Sequence, residues 1–223
     1  MLNKIGLFTF LEAVGLTIAV GQCVPRVGRF LDSIGAHVKV FSIDLPLLAV
    51  LPAVVLALVS RIFRLHDKLS DLFRIRKNFD VFRILLPLAL AVGCAPAPNM
   101  VEALQVHRKR IIARTFYRYA SFEDPKISKA AVLSAIDVWT WYWILAEFLF
   151  LLGLTTSVFI SFGYFGPAAY SLVAFSLLSL TFSTYFSVCG KKVDYQIDEI
   201  VSDSKRVEQI RGEFASLLKT DVK

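Results

Sequence analysis

The chain has 223 residues, 56% of them apolar, a formal net charge of +7 and a mean hydropathy of +0.62. A soluble globular domain is about 45–50% apolar even with glycine counted, and here the excess is gathered in a few long blocks, which excludes an ordinary water-soluble fold. The blocks read as membrane spans, and the basic balance reads first as orientation in a bilayer.

The first block is Ile5–Val24. At 1.5 Å per residue it covers about 30 Å, the thickness of the hydrocarbon core. It follows Lys4 as a secretory leader would, but it is long for a leader core, carries Glu12 and lacks a small-x-small cleavage site before Pro25. It is therefore expected to stay as a signal-anchor span. A mixed linker over Pro25–Val40 leads to a second predicted span, Phe41–Ile62, which includes Pro46 and Pro52.

From Phe63 to Ile136 the character changes: 13 Lys and Arg stand against six acids. Apolar residues at Leu65, Leu69, Leu72, Phe73 and Ile75 predict an amphipathic helix over Leu65–Phe82. The run 84–97 is apolar but short, and Gly93, Pro96 and Pro98 break its end. That length suits a buried or re-entrant segment better than a crossing one. A second basic helix is expected over Met100–Tyr119, with a break at Asp124-Pro125.

A third span, Val138–Phe162, opens on Trp139, Trp141, Tyr142 and Trp143, an interfacial aromatic belt. Gly163–Pro167 is an uncharged turn into a fourth span, Ala168–Cys189. The tail carries Val193, Ile197, Ile200, Ser204, Val207, Arg211, Phe214 and Leu218 four and three residues apart. This heptad register predicts either a short coiled coil or an amphipathic helix packed on its own domain.

Orientation follows from where Lys and Arg lie. If 84–97 does not cross, the 13 cations of 63–136 and seven of the tail share one side, and only Arg26, Arg29 and Lys39 face the other. If it crosses, a strongly basic segment must be translocated. The expected fold is an all-α polytopic membrane protein with four transmembrane helices in two hairpins, 1–62 and 137–189. A helical cytoplasmic insertion, 63–136, and a C-terminal cytoplasmic helix, 190–223, complete it. Both termini are expected in the cytoplasm, with the chain in a bacterial inner membrane.

Three groups of residues are candidates for function. Glu12 and Glu147 lie within spans, where a carboxylate costs about 2.5–3.5 kcal/mol at the centre; they serve either an ion path or helix packing. Ser176, Ser179, Ser183 and Ser187 share one face of the fourth span and either line a pore or let helices approach closely. Arg74, Arg76, Lys77, Arg83, Arg108, Lys109, Arg110 and Arg114 form a basic cluster suited to lipid headgroups, an acidic protein partner, or a nucleotide or nucleic acid.

Catalytic signatures are missing. His66, Lys68 and Asp71 hint at the H-x-K-x4-D pattern of phospholipase D, but the required acid falls on Phe73. There is no H-E-x-x-H, G-x-S-x-G or Walker A sequence. Three scattered cysteines and three separated histidines suggest neither a disulfide framework nor a metal site. No enzyme activity and no cofactor are expected.

With Arg74-Ile75-Arg76 and Arg108-Lys109-Arg110 in its charged segments, the layout resembles the small four-span membrane subunits of bacterial phage-defence systems, such as the membrane component of Kiwa. The resemblance implies a homo-oligomeric sensor of membrane disturbance or an ion-permeable effector, working with a cytoplasmic partner. The alternative expectation is a non-conducting anchor or scaffold for a soluble protein. A lipid-modifying enzyme is a third reading, for which no clustered polar groups are found.

Overall fold

A helix of 22 residues, α1 (Leu2–Cys23), forms where the sequence has no proline and no polar run. The computed structural model describes residues 2–33, 35, 37–40, 43–63, 65–94 and 99–220. Val24 ends α1, and Pro25, at the first helical position where its missing N–H is no loss, opens the short α2 (Pro25–Asp32). The turn between them is tight. A Cβ on Gly28 would stand 2.6 Å from the Gly21 carbonyl oxygen, and one on Gly21 would stand 2.7 Å from a Leu31 methyl.

The linker is more ordered than its mixed composition predicts. β1 (His37–Val40) and β2 (Ile43–Pro46) pair antiparallel, with Lys39 opposite Asp44 in register. The alternation of apolar and polar residues in HVKV and IDLP is the strand signal. The second predicted span thus loses its first residues: 41–42 lie outside the described residues, 43–46 are strand, and α3 (Leu47–Phe63) is the helix. Its 17 residues reach about 26 Å, short of the ~30 Å core.

The basic region breaks into short helices: α4 (Leu65–Leu72), α5 (Ile75–Phe79), a π-helical turn (Asp80–Leu85), α6 (Leu86–Ala91), α7 (Met100–Val106) and α8 (Arg108–Thr115). Arg74, at φ 54°, makes the bend between α4 and α5 where one continuous amphipathic helix was expected. α6 ends on Gly93 at φ 80°, with Cys94 N–H donating to Ala89 O at 2.9 Å and Gly93 N–H to Leu90 O at 3.0 Å. That double bond satisfies the last carbonyls in the αL glycine-capped manner. The helical part of the 84–97 run is therefore only 84–91, and Ile84, Leu85, Leu88 and Ala89 are fully buried. The remaining residues 95–97 lie outside the described residues.

Two long helices follow, α9 (Lys129–Ser161) and α10 (Phe165–Val201). The turn between them repeats the glycine cap: Gly163 has φ 75°, and Tyr164 N–H donates to Phe159 O at 2.9 Å. Pro167 falls in the first turn of α10, where N–H groups have no intrahelical partner. Since nothing breaks the helix at Gly190, residues 190–201 belong to α10, and the separate C-terminal helix is only α11 (Ser204–Thr220). The heptad register is interrupted at 202–203, and the interior of α11 holds Ile210 and Phe214 rather than Arg211.

Among the described residues the chain is all-α apart from the ribbon. Among the described residues three helices are long and apolar enough to cross a membrane: Lys4–Cys23, Lys129–Ser161 and Phe165–Val201. Contacts divide it into two units, Met1–Lys68 with Thr140–Tyr185, and Leu69–Trp139 with Phe186–Lys223. The first gathers the apolar segments. There α1 packs on α3 through Ala13, Val14 and Ala53, small residues that let backbones approach. Val24, Phe159 and Ala168 form a second cluster. Tyr142 of α9 stacks on Phe182 of α10 at 4.5 Å.

The second unit gathers the charged segments around the buried face of the π-turn and α6. α11 closes it. Its Arg211 donates to the Val92 carbonyl at 2.8 Å, and the Tyr119 hydroxyl donates to Gln209 at 2.8 Å. Arg206 donates to the Lys126 carbonyl at 2.8 Å. The tail is thus an amphipathic helix packed on its own domain, the second of its two predicted forms.

Candidate functional site

In the apolar unit, Glu147 of α9 is buried and makes a hydrogen bond with the Thr9 hydroxyl of α1. Thr9 also donates to the Ile5 carbonyl at 2.9 Å, a back-bond that holds the hydroxyl in place. Glu12, one turn further along α1, lies close enough to Glu147 for the two carboxyls to act on each other electrostatically. Its Oε2 is buried with no hydrogen-bond partner among the described residues. α1 and α9 thus bring together the two intramembrane acids, and Thr9 is a member of the group that the sequence reading passed over.

The serine face of α10 is organised differently. The Ser176 and Ser179 hydroxyls donate to the Leu172 and Phe175 carbonyls of their own helix, at 2.9 and 2.7 Å. Ser176, Ser183 and Ser187 are exposed. Of the most apolar window of α10 only 6% is buried, against 44% for α9, so this chain alone covers little of the serine-bearing helix.

The charged unit holds the most elaborate site. Asp80 opens the π-helical turn, a wide-turn distortion that frequently marks functional positions. It is 5% exposed, with the buried apolar residues Phe79, Val81, Ile84 and Leu85 around it in the chain. Arg108, from the first turn of α8, reaches its Oδ2 at 3.1 Å, with both side chains largely shielded from water. Burial pushes the Asp80 carboxyl up from 3.8 to about 6, and the guanidinium groups of Arg108 and Arg76 hold it from rising further. Tyr117 joins the group through a hydrogen bond with Arg76. Burial of its oxygen and the Asp80 charge raise the phenol above its ordinary range, opposed by Arg76 and Arg108. Tyr117 as a whole residue is still 38% exposed.

Asp80, Arg76 and Tyr117 line a cavity of about 130 Å³, open on one side. Aromatic rings form much of its wall. Phe79 lies 4.8 Å from Trp139 and 5.5 Å from Phe186, and Phe116 lies 5.5 Å from Tyr117. Gln196, which donates to the Ala131 carbonyl at 3.4 Å, and Cys189 contribute from α10. The arrangement offers a guanidinium at the mouth, a carboxylate neutralised by a second guanidinium, and flat apolar surfaces. It suits a small ligand with a negative group. Among the described residues no group of three His, Cys, Asp or Glu side chains could hold a metal ion.

The basic cluster is therefore not one surface. Arg76 and Arg108 belong to the cavity group. Arg83 lies over Gly190, its guanidinium 3.7 Å from where a Cβ there would stand. Arg114 makes an exposed ion pair with Glu213 at 3.5 Å. Arg74 holds the left-handed bend, Lys77 lies on α5, and Lys109 and Arg110 are exposed on α8. Asp80 and Trp139 escaped the sequence reading as site residues. The sequence carries no clear signal for Asp80, which has Asn78 and Arg83 close by in the chain.

Residues 1–216 match the YmfE protein family. The chain belongs to that family. No curated protein and no solved structure matches it. The match runs through both units, so the buried acids of α1 and α9 and the Asp80 cavity all lie inside the region shared with the YmfE family.

Proposed function

We propose that this YmfE-family protein is a four-span membrane sensor or ion-permeable effector subunit, oligomeric, and gated through its basic unit on the cytoplasmic side. α3 is the fourth span, at 17 residues the shortest of the four. The observation that carries the reading is the Asp80–Arg108 pair: a buried ion pair at a π-turn, facing an open aromatic cavity, in the unit that collects the cations. A purely structural domain gains little from such a pair, because desolvation offsets most of its attraction. Such a pair is well placed as a switch that a ligand biases.

The lipid-facing half of the reading rests on Glu12 and Glu147, brought together between α1 and α9. Reconstituted in liposomes, the protein is expected to pass ions in response to a cytoplasmic ligand or partner, and Glu147→Ala is expected to reduce that flux. Folded oligomer in liposomes that stay tight under every ligand condition contradicts the conducting form. A role in antiviral defence at a bacterial inner membrane belongs to the proposal on the strength of layout alone.

Two observations favour the second reading, a non-conducting anchor for a soluble partner. Ser176 and Ser179 are bonded back to their own helix, and the cavity of about 260 Å³ between α1, α3 and α9 is walled mainly by apolar side chains. A pull-down with a specific soluble protein, together with unchanged function in Glu147→Gln, supports the anchor over the channel.

A further inference from the structure

The Asp80 cavity has three properties that together narrow its ligand. The first is charge. Asp80, Arg76, Arg108 and Tyr117 act on one another, and this set holds two guanidiniums against one carboxylate. Arg108 is committed to Asp80 at 3.1 Å. Arg76 is also engaged, with Tyr117, but it stands at the exposed rim. A guanidinium presents a planar fork of donors that matches phosphate oxygens.

The second property is size. About 130 Å³ is well below the roughly 300 Å³ at which pockets for drug-sized ligands begin. A whole nucleotide does not fit inside, whereas a phosphate with a few attached carbons does. The third is the wall. Phe79, Phe116 and Trp139 are rings, and Trp139 and Cys189 stand at the polar ends of the apolar stretches of α9 and α10. A tryptophan at that point of a membrane helix belongs to the headgroup level.

We infer that this cavity binds the phosphate group of a small amphiphile, with Arg76 on the phosphate and Phe79, Phe116 and Trp139 against the carbons beside it. The position of Trp139 favours an anionic lipid headgroup as the source, and a soluble phosphate ester has the same chemistry. The inference rests on reading this unit as the cytoplasmic receiver, and it names the class of ligand received.

The test uses full-length protein in a neutral detergent, titrated with dioctanoyl phosphatidic acid, phenyl phosphate and inorganic phosphate. Tryptophan emission reports occupancy and thermal unfolding reports stabilisation. Saturable binding of phosphatidic acid is expected. It should weaken by about tenfold or more in Arg76→Gln, the equivalent of losing one charge-assisted hydrogen bond. Lys109→Gln, on exposed α8 and outside the cavity, should bind as the wild type does.

Arg76→Lys keeps the charge without the fork and should lie between. If Arg76→Gln unfolds, Arg76→Lys and Lys109→Gln still decide the matter. Tighter binding of phosphatidic acid than of both soluble probes assigns the site to lipid. Equal binding of phenyl phosphate, still dependent on Arg76, assigns it to a soluble ester. Absence of saturable binding, or equal weakening by Lys109→Gln and Arg76→Gln, overturns the inference. Ion flux in liposomes is a separate readout. Binding without flux sinks the gated-channel reading and leaves this site intact, while flux with unchanged ligand response in Arg76→Gln does the reverse.

Discussion

Asp80 is the residue on which the chemistry of the charged unit turns. Its carboxyl is raised from 3.8 to about 6, so the folded state holds a proton that the unfolded chain releases. Between these values the native state binds more protons than the unfolded one, and stability falls as pH rises. Thermal unfolding should show a loss on the order of 2–3 kcal/mol between about pH 4 and pH 6, which Asp80→Asn removes. Removing the other partner acts differently. Arg108→Gln leaves the buried carboxylate with only the Arg76 charge beside it, which should lower stability by about 3 kcal/mol above pH 7, and Asp80→Asn added to it should recover much of the loss. Arg108 is a member of the basic cluster that the sequence offers, but Asp80, and the pairing of the two, are not evident from it. The pair spans 28 positions, and only the fold brings α8 to the π-turn. By contrast, the depth of Glu147 in its span was legible, because a lone acid in a long apolar run must turn inward.

Elements show where periodicity speaks and where it misleads. The helices α1, α9 and α10 follow their apolar runs because nothing interrupts the backbone ladder. The ribbon β1–β2 was missed because it sits inside a stretch of mixed charge, with alternation over only a few residues. The tail heptad was misleading: its spacing continues through residues 202–203, but the helix does not. The close turn between α1 and α2 is a prediction at this scale. Gly28→Ala places a methyl 2.6 Å from the Gly21 carbonyl oxygen, against backbone that cannot step aside. Overpacking of this kind should lower thermal stability by about 1–3 kcal/mol, whereas Gly6→Ala, in open space on α1, should have little effect.

For the whole molecule, the division of polar from apolar segments was legible in advance from the blocks of hydropathy. What periodicity could not decide is the path of the 84–97 run. The structure places its helical part, 84–91, in the buried core of the charged unit, and α6 ends on Gly93. A segment committed to that core is not available to lipid. This supports the proposal that both flanks of the run, and the tail, lie on one side of the membrane, with Arg29 on the other.

Cysteine accessibility in cells tests that account most directly. On a background without Cys23, Cys94 and Cys189, single cysteines are placed by Asn78→Cys, Lys109→Cys, Lys205→Cys and Arg29→Cys, all at exposed positions. A membrane-impermeant maleimide applied from outside should label only the last, and permeabilisation should expose the other three together. Labelling that separates Asn78→Cys from Lys109→Cys across the bilayer would mean that 84–97 crosses, and the cytoplasmic receiver could not exist as described.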